Sequence, residues 1–264
     1  MPVEDPEELT RRYVKNSGKT KKYPDDSIFF YLSQLLRAPN KEFSHKFMKE
    51  LIDHDASIDY KDKYGDSIFH LICKFQIDNQ KVCQIFDDFC ENFVERGVDV
   101  KEKLEKEINL YGHNILHTIA LKSNDNLELF RKVVEGKLGE SSPYSFNNNN
   151  SNSNNKSRSS KNNNELFYNV STFGENQTPL HYAARSGNER IVKYLIEEKQ
   201  VNLEARDHLG RTPLYLAAEY GQTITVKLLK TLGCNVNVSN VYGQKALFWI
   251  VSKCSDIASE ILDD

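Results

Sequence analysis

The chain lacks any apolar run approaching the ~18 residues that a membrane-crossing helix requires, and its first residues lack the basic, apolar and small-residue succession of a secretion signal. Both absences predict a soluble, cytoplasmic chain and make the N-x-S/T triplets at Asn155, Asn169, Asn176 and Asn237 chance matches. Five cysteines are present (Cys73, Cys83, Cys90, Cys234, Cys254), but none forms a C-x-x-C pair and no His/Cys group stands at zinc spacing. No structural metal is expected, and the scattered thiols suit a reducing compartment. Charge is nearly balanced, 35 basic against 38 acidic residues with a net of −3. No global field points to nucleic acid or to an anionic membrane.

Catalytic signatures are also missing. Ser17-Gly18-Lys19-Thr20 imitates the end of a phosphate-binding loop, but Tyr13 stands where its first glycine belongs. There is no nucleophile elbow, no metal-ligand spacing and no carboxylate pair. The expectation is a chain with no catalytic residue, no cofactor and no metal.

What the sequence does contain is repetition. Gln177-Thr178-Pro179-Leu180-His181-Tyr182-Ala183-Ala184 is followed 34 residues later by Arg211-Thr212-Pro213-Leu214-Tyr215-Leu216-Ala217-Ala218. A worn copy, Gln244 to Val251, begins 33 residues after that. Each residue type has a physical task. Thr178 and Thr212 suit helix N-caps, with Pro179 and Pro213 at the first helical position, where a missing N–H costs nothing. The alanine pairs keep one face small for a neighbour, and Gly187 and Gly221 suit a left-handed helix end. A second apolar-periodic helix follows, placing Ile191, Val192, Leu195 and Ile196, or Ile224, Val226, Leu228 and Leu229, towards the core. Asp207 to Gly210 and Asn240 to Gly243 then supply turns.

This pattern resembles the ankyrin repeat, with its period of about 33 residues and its T-P-L-H-x-A signature. Weaker versions at Asp26 to Leu32, Asp66 to Ile72 and Gly112 to Ala120 bring the total to six units. The resemblance implies an all-α solenoid of stacked helix-turn-helix units with short β-hairpin turns. The spacings of 40 and 47 residues between the early units predict inserted or lengthened helices. The organisation reads as a flexible basic tail over 1–24, divergent units one to three over 25–140, a disordered Asn/Ser-rich insertion over 141–166, and units four to six over 167–264. If Phe167-Tyr168-Asn169-Val170 resumes the turn, the stack continues beneath the insertion; two hinged stacks are the other arrangement. The last unit carries Phe248, Trp249 and Ile250 and is apolar for a terminal cap. Either Lys245, Ser252, Lys253 and Asp256 cap it, or something packs on it, and the latter suggests the amino-terminal part of a longer protein.

The recurrent His70, His117 and His181 are expected to bond backbone and capping groups between units rather than to catalyse. Function in such solenoids lies on the face built from turn tips and first helices. The resemblance therefore places candidate protein-contact residues at Lys63, Tyr64, Asp66 and Phe75; Tyr111, His113 and Lys122; Glu175, Gln177 and Arg185; His208, Arg211, Glu219 and Tyr220; and Tyr242, Gln244 and Lys253. It implies a non-catalytic protein–protein interaction module or scaffold whose partners are proteins, not nucleic acid, with no membrane contact by these residues and no oligomeric state specified.

Two narrower resemblances suggest settings. The opening Gly65-Asp66-Ser67 and the six units are similar to inhibitors of NF-kappa-B transcription factors. The stretch Ala38-Pro39, Phe47-Met48 and Leu51 to Asp59, with the ending Glu260 to Asp264, is similar to the cytosolic amino-terminal regions of insect ankyrin-type transient receptor potential cation channels. The basic residues Arg11-Arg12, Lys15, Lys19 and Lys21-Lys22 leave a nuclear location open.

Overall fold

The computed structural model describes residues 28–32, 57–74, 79–95, 97–122, 126–136 and 167–262. The basic tail, the second helix expected in the first unit and the Asn/Ser-rich segment lie outside them, as does Phe75. Residues 28–32 are helical, with Ile28, Tyr31 and Leu32 buried. From there the chain alternates helices. These are α1 (Ile68–Cys73), α2 (Asn79–Glu95), α3 (Val100–Lys106), α4 (Ile115–Ala120), α5 (Leu127–Glu135), α6 (Pro179–Ser186) and α7 (Glu189–Lys193, widening into a π turn over Tyr194–Glu198), followed by α8 (Pro213–Glu219), α9 (Thr223–Thr231), α10 (Ala246–Lys253) and α11 (Ser255–Leu262). The first helices α1, α4, α6, α8 and α10 pack in succession, and the second helices α2, α5, α7, α9 and α11 form a parallel row behind them. The result is the expected two-layered helical stack.

The polar residues ahead of each apolar segment fix where the first helices begin. Ser67, Asn114, Thr178 and Thr212 take extended backbone at the N-cap, and Pro179 and Pro213 occupy the first turn. Gly187 closes α6 in the left-handed region at φ 77°. Behind the caps, Ala183, Ala184, Ala217 and Ala218 are fully buried between neighbouring helices. In the second unit the same two positions hold Ile72 and Cys73, and the Phe69 ring sits between Phe86 at 5.2 Å and Phe93 at 5.3 Å. The apolar stripe of the 17-residue α2 thus supplies the bulk that closes this divergent unit.

The 47-residue spacing has a structural cause. Between α2 and the next turn the chain forms the additional helix α3, capped by Asp99, whose carboxylate accepts the Glu102 N–H at 3.0 Å. Val100 and Leu104 are buried, and Lys103 pairs with Asp59 and Glu107 while lying 5.1 Å from the Phe93 ring centre. Lys101, Glu102 and Lys106 face outward, so α3 adds length without breaking the stack.

Two expectations need correction. Ile224 is 66% exposed, and Thr225 is buried in its place with Val226 and Leu229. Counted from the cap Gln222, the buried positions are the third, fourth and seventh, which hold Thr225, Val226 and Leu229, so Ile224 at the second falls outside the stripe. Phe167 to Asn169 form one helical turn instead of the hairpin expected there. That hairpin runs from Thr172 to Gln177, with Asn176 at φ 54° taking up an extra residue. The third and fourth units are nonetheless in direct contact. Asn114 Nδ2 donates to the Phe167 carbonyl at 2.9 Å, Ser186 Oγ to Ala120 at 2.6 Å and Asn188 Nδ2 to Lys122 at 3.1 Å.

Candidate functional site

One rule builds the turns. The side-chain oxygens of Asp62, Asn109, Asp207 and Asn240 each accept the backbone N–H groups two and four residues on, at 2.8 to 3.0 Å. These are Asx-type turns, and each places a glycine (Gly65, Gly112, Gly210, Gly243) at positive φ. Successive tips then join edge to edge: Leu110 N–H donates to Tyr64, Phe173 to Tyr111, His208 to Glu175 and Val241 to Leu209. Among the described residues the turns form only two isolated antiparallel bridges, Lys61 with Ser67 and Ser239 with Lys245, so they are hairpin turns without strands.

The recurrent histidines lock the first helices to the turns. Nδ1 of His70, His117 and His181 accepts the N–H of its own cap residue at 3.2 to 3.3 Å. Nε2 then donates to a carbonyl of the next unit: His113 at 3.0 Å, Gln177 at 3.1 Å and Arg211 at 3.2 Å. Burial lowers the pKa of all three, to about 3 for His117 and about 4 for His181. They stay neutral and structural.

At Tyr215, which stands where the histidine would, the hydroxyl reaches Gln244 Oε1 at 3.2 Å and accepts from Trp249 Nε1 at 2.9 Å. The next position, Phe248, reaches nothing comparable. It is 56% exposed, where its counterparts in the four preceding units are at most 1%.

Along this face runs a band of aromatic and charged side chains. Tyr182 Oη lies 2.8 Å from His113 Nε2 and 3.4 Å from Glu175, and burial raises its pKa to about 12. The Arg185 guanidinium covers the rings of Tyr182 (4.7 Å) and Tyr220 (5.6 Å). Arg211 bridges Asp207 at 2.8 Å and Glu219 at 3.1 Å. Burial alone would raise the Asp207 pKa, yet hydrogen bonds from the Arg211 backbone, Gln177 and the Arg211 side chain lower it. Lys253 donates to the Glu219 carbonyl at 2.7 Å and lies 5.0 Å from the Trp249 ring. Between the second and third units the face deepens into an open groove of about 540 Å³, lined by Tyr64, Asp66, Lys74, Asn109, Tyr111, His113, Thr118, Leu121 and Lys122.

The predicted contact residues therefore separate into groups. Tyr64, Tyr111, His113, Arg185, Tyr220 and Lys253 come together along the groove and the aromatic band. Glu175, His208, Tyr242 and Gln244 are exposed at the tips, and Arg211 and Glu219 are half-buried in their ion pair. Asp66 and Gln177 are corrections: at 3% and 1% exposure they are not available to a partner. Each serves the neighbouring turn instead, Asp66 accepting from Asn109 Nδ2 at 3.0 Å and Gln177 donating to Asp207 at 3.1 Å. Residues the sequence did not single out as contacts include Lys74, Leu121 and Trp249 on the face, and Tyr182, which lies buried beneath the Arg185 guanidinium and orients the band. Tyr182 and Trp249 follow the histidine position directly, and that spot varies (Leu71, Thr118, Tyr182, Leu216, Trp249) while its neighbours repeat. This variation is the signal that could have found them.

Comparison with known sequences agrees with this geometry. The profile for ankyrin repeats in three copies matches residues 82–240 and 199–264. The chain belongs to the ankyrin-repeat family. Relatives of this ankyrin chain include the probable E3 ubiquitin-protein ligase XBOS32 of Oryza sativa subsp. japonica, 40% identical over 67 residues, which is 25% of this chain and 13% of the relative. Delta-latroinsectotoxin-Lt1a of Latrodectus tredecimguttatus is 38% identical over 66 residues, 25% of this chain and 5% of the toxin. The E3 ubiquitin-protein ligase XBAT33 of Arabidopsis thaliana is 37% identical over 73 residues, 28% of this chain and 14% of the ligase. Each match spans about two ankyrin units and a small part of a much longer protein. Among the described residues no helix is long and apolar enough to cross a membrane.

Proposed function

We propose that this ankyrin stack is a non-catalytic interaction module that holds a protein partner against the face made by its turns and first helices. Ankyrin repeats are protein–protein interaction modules, and the observation that carries this assignment is the band that runs from the exposed Tyr64 and Tyr111 through the half-buried Arg185 to the exposed Tyr220 and Lys253. Aromatic and arginine side chains of this kind dominate binding energy at interfaces. The histidines that clamp one unit to the next are buried, by contrast, so contact with Tyr64, Tyr111 or Tyr220 does not compete with those clamps. Units three and four already touch, which supports reading 141–166 as an insertion within one stack. From the ligase and toxin relatives we carry over no transfer of ubiquitin and no toxicity, because each match covers 14% or less of the relative.

The test compares affinity capture by the wild-type chain, by a Tyr111→Ser/Tyr220→Ser double variant, and by Ile224→Ser on the second-helix side. The expected result is a set of proteins held by wild type and Ile224→Ser and lost by the double variant. A captured set that survives the double change, or that disappears with Ile224→Ser, removes this face as the binding surface.

A further inference from the structure

The outer side of the last unit is a second surface, separate from the binding face. Phe248 and Val251 lie one turn apart on α10 and are 56% and 51% exposed. They stand at the histidine and second-alanine positions of the repeat. In the four preceding units those positions hold His70, His117, His181 and Tyr215, at most 1% exposed, and Cys73, Ala120, Ala184 and Ala218, at most 2%. The turn is open as well. A methyl group on Gly65, Gly112 or Gly210 would press on the next tip, whereas on Gly243 it would meet nothing within 4 Å among the described residues. Tyr242 beside it is 79% exposed. This surface therefore continues the interface that joins one unit to the next, but without the polar link of the earlier joints. There the histidines donate to a carbonyl of the following unit, and the Tyr215 hydroxyl donates to Gln244. Phe248 has no polar atom, so a further unit stacked in register would bury the corresponding carbonyl without that donor.

What the surface offers instead is an apolar centre with opposite charges at its two extremes. Lys245 stands at the N-cap of α10, and Asp256 lies in the first turn of α11, just past the other end of α10. Both are exposed, and neither joins an ion pair among the described residues; Asp256 accepts the Ser255 hydroxyl at 3.4 Å. Lys253, between them, is turned back to the Glu219 carbonyl and the Trp249 ring. Such a surface complements itself. We propose that the chain pairs with a second copy of itself here, α10 against α10 about a twofold axis. The antiparallel helices lay Phe248 and Val251 on their counterparts and bring each Lys245 to the partner's Asp256. A head-to-tail contact would leave the same apolar surface open on the last copy added, whereas the twofold contact covers both at once. One short helix and one turn make a small interface, so the pairing is weak and reversible. It uses none of Tyr64, Tyr111 and Tyr220, and so is independent of the binding face.

Sedimentation equilibrium of the full chain tests this directly. The average mass of the wild type should climb from one chain towards two between about 1 and 100 µM. Phe248→Gln, at an exposed site, should raise the dissociation constant roughly tenfold. Lys245→Glu and Asp256→Lys should each pair more weakly alone, because each sets like charges against each other, and should pair again when mixed in equal amounts, because each supplies the charge the other has lost. The Tyr111→Ser/Tyr220→Ser variant should associate as the wild type does, so that loss of pairing and loss of partner capture are separate results. A wild type that stays monomeric to about 100 µM overturns the proposal, and so does association indifferent to Phe248→Gln. Masses that climb past two chains, or a mixture of the charge variants no more associated than either alone, overturn the twofold contact. Association lost with Tyr111→Ser/Tyr220→Ser moves the contact to the binding face and overturns it too.

Discussion

His117 Nε2 donates to the carbonyl oxygen of Gln177 at 3.1 Å, across 60 residues of chain that include the whole Asn/Ser-rich segment. The same ring accepts the Asn114 N–H at 3.2 Å, so one neutral side chain caps its own helix and clamps the next unit. Removing it takes the partner from the buried Asn114 N–H and leaves the Gln177 carbonyl with the Thr172 N–H alone. His117→Ala is expected to cost about 2–3 kcal/mol, read as a lower urea midpoint with the helical signal at zero denaturant retained.

Acid should weaken the stack before any carboxylate titrates. His117 and His181 are held neutral in the fold, with pKa values of about 3 and about 4 against an ordinary 6.5. Their contribution to stability is complete above pH 6.5, declines as the unfolded chain takes up protons below it, and is exhausted near the folded values. Urea midpoints measured from pH 8 to 7 should be level in respect of these groups, then fall continuously from pH 6.5 to 4. A midpoint constant down to pH 4.5 would contradict the burial of these rings.

Two turn glycines with the same backbone should respond differently to alanine. Gly112 and Gly243 have φ of 77° and 76°, so each substitution carries a left-handed penalty of about 1–2 kcal/mol. At Gly112 the added methyl would also sit 2.6 Å from the Phe173 backbone nitrogen, whereas at Gly243 nothing lies within 4 Å. Gly112→Ala is expected to lower the urea midpoint clearly more than Gly243→Ala, because it separates two units as well as straining one turn. Equal losses would mean that the close approach of Gly112 and Phe173 contributes little.

Lys122 should be unusually reactive as an amine. With a pKa of about 8 in place of 10.5, half of it is unprotonated at pH 8, where an ordinary lysine has well under 1% as free amine. Trace acetylation at pH 8 followed by peptide mass spectrometry should mark Lys122 ahead of Lys227, which is ion-paired at 2.8 Å with Glu260. Equal labelling would argue against its desolvation.

Phe248 occupies the position that His117 fills in its own unit, yet it is exposed and, among the described residues, its ring meets the Trp249 ring alone, 5.1 Å away. Phe248→Gln is expected to shift stability by no more than about 0.5 kcal/mol while raising solubility. Tyr215→Phe, one unit earlier, should cost about 1 kcal/mol through the lost contacts with Gln244 and Trp249. Thermal melts of the two variants side by side give the comparison.

The repeat period, the threonine and proline caps, the alanine pairs and the turn glycines determined the fold from the sequence, because each is a local backbone requirement that recurs at fixed spacing. The role of the histidines was legible for the same reason. Tertiary structure alone decided which polar residues remain for a partner. Asp66 and Gln177 share a position in the repeat with the exposed Gln244, but the first two have a following turn to bond and are consumed by it. Tyr182 reaches His113 only because residues 69 apart in number are neighbours in space, and Lys122 loses water in a stack that also brings Cys73, 49 residues earlier, close to it. Burial and cross-unit bonding depend on what the next unit brings, and no single repeat contains that information.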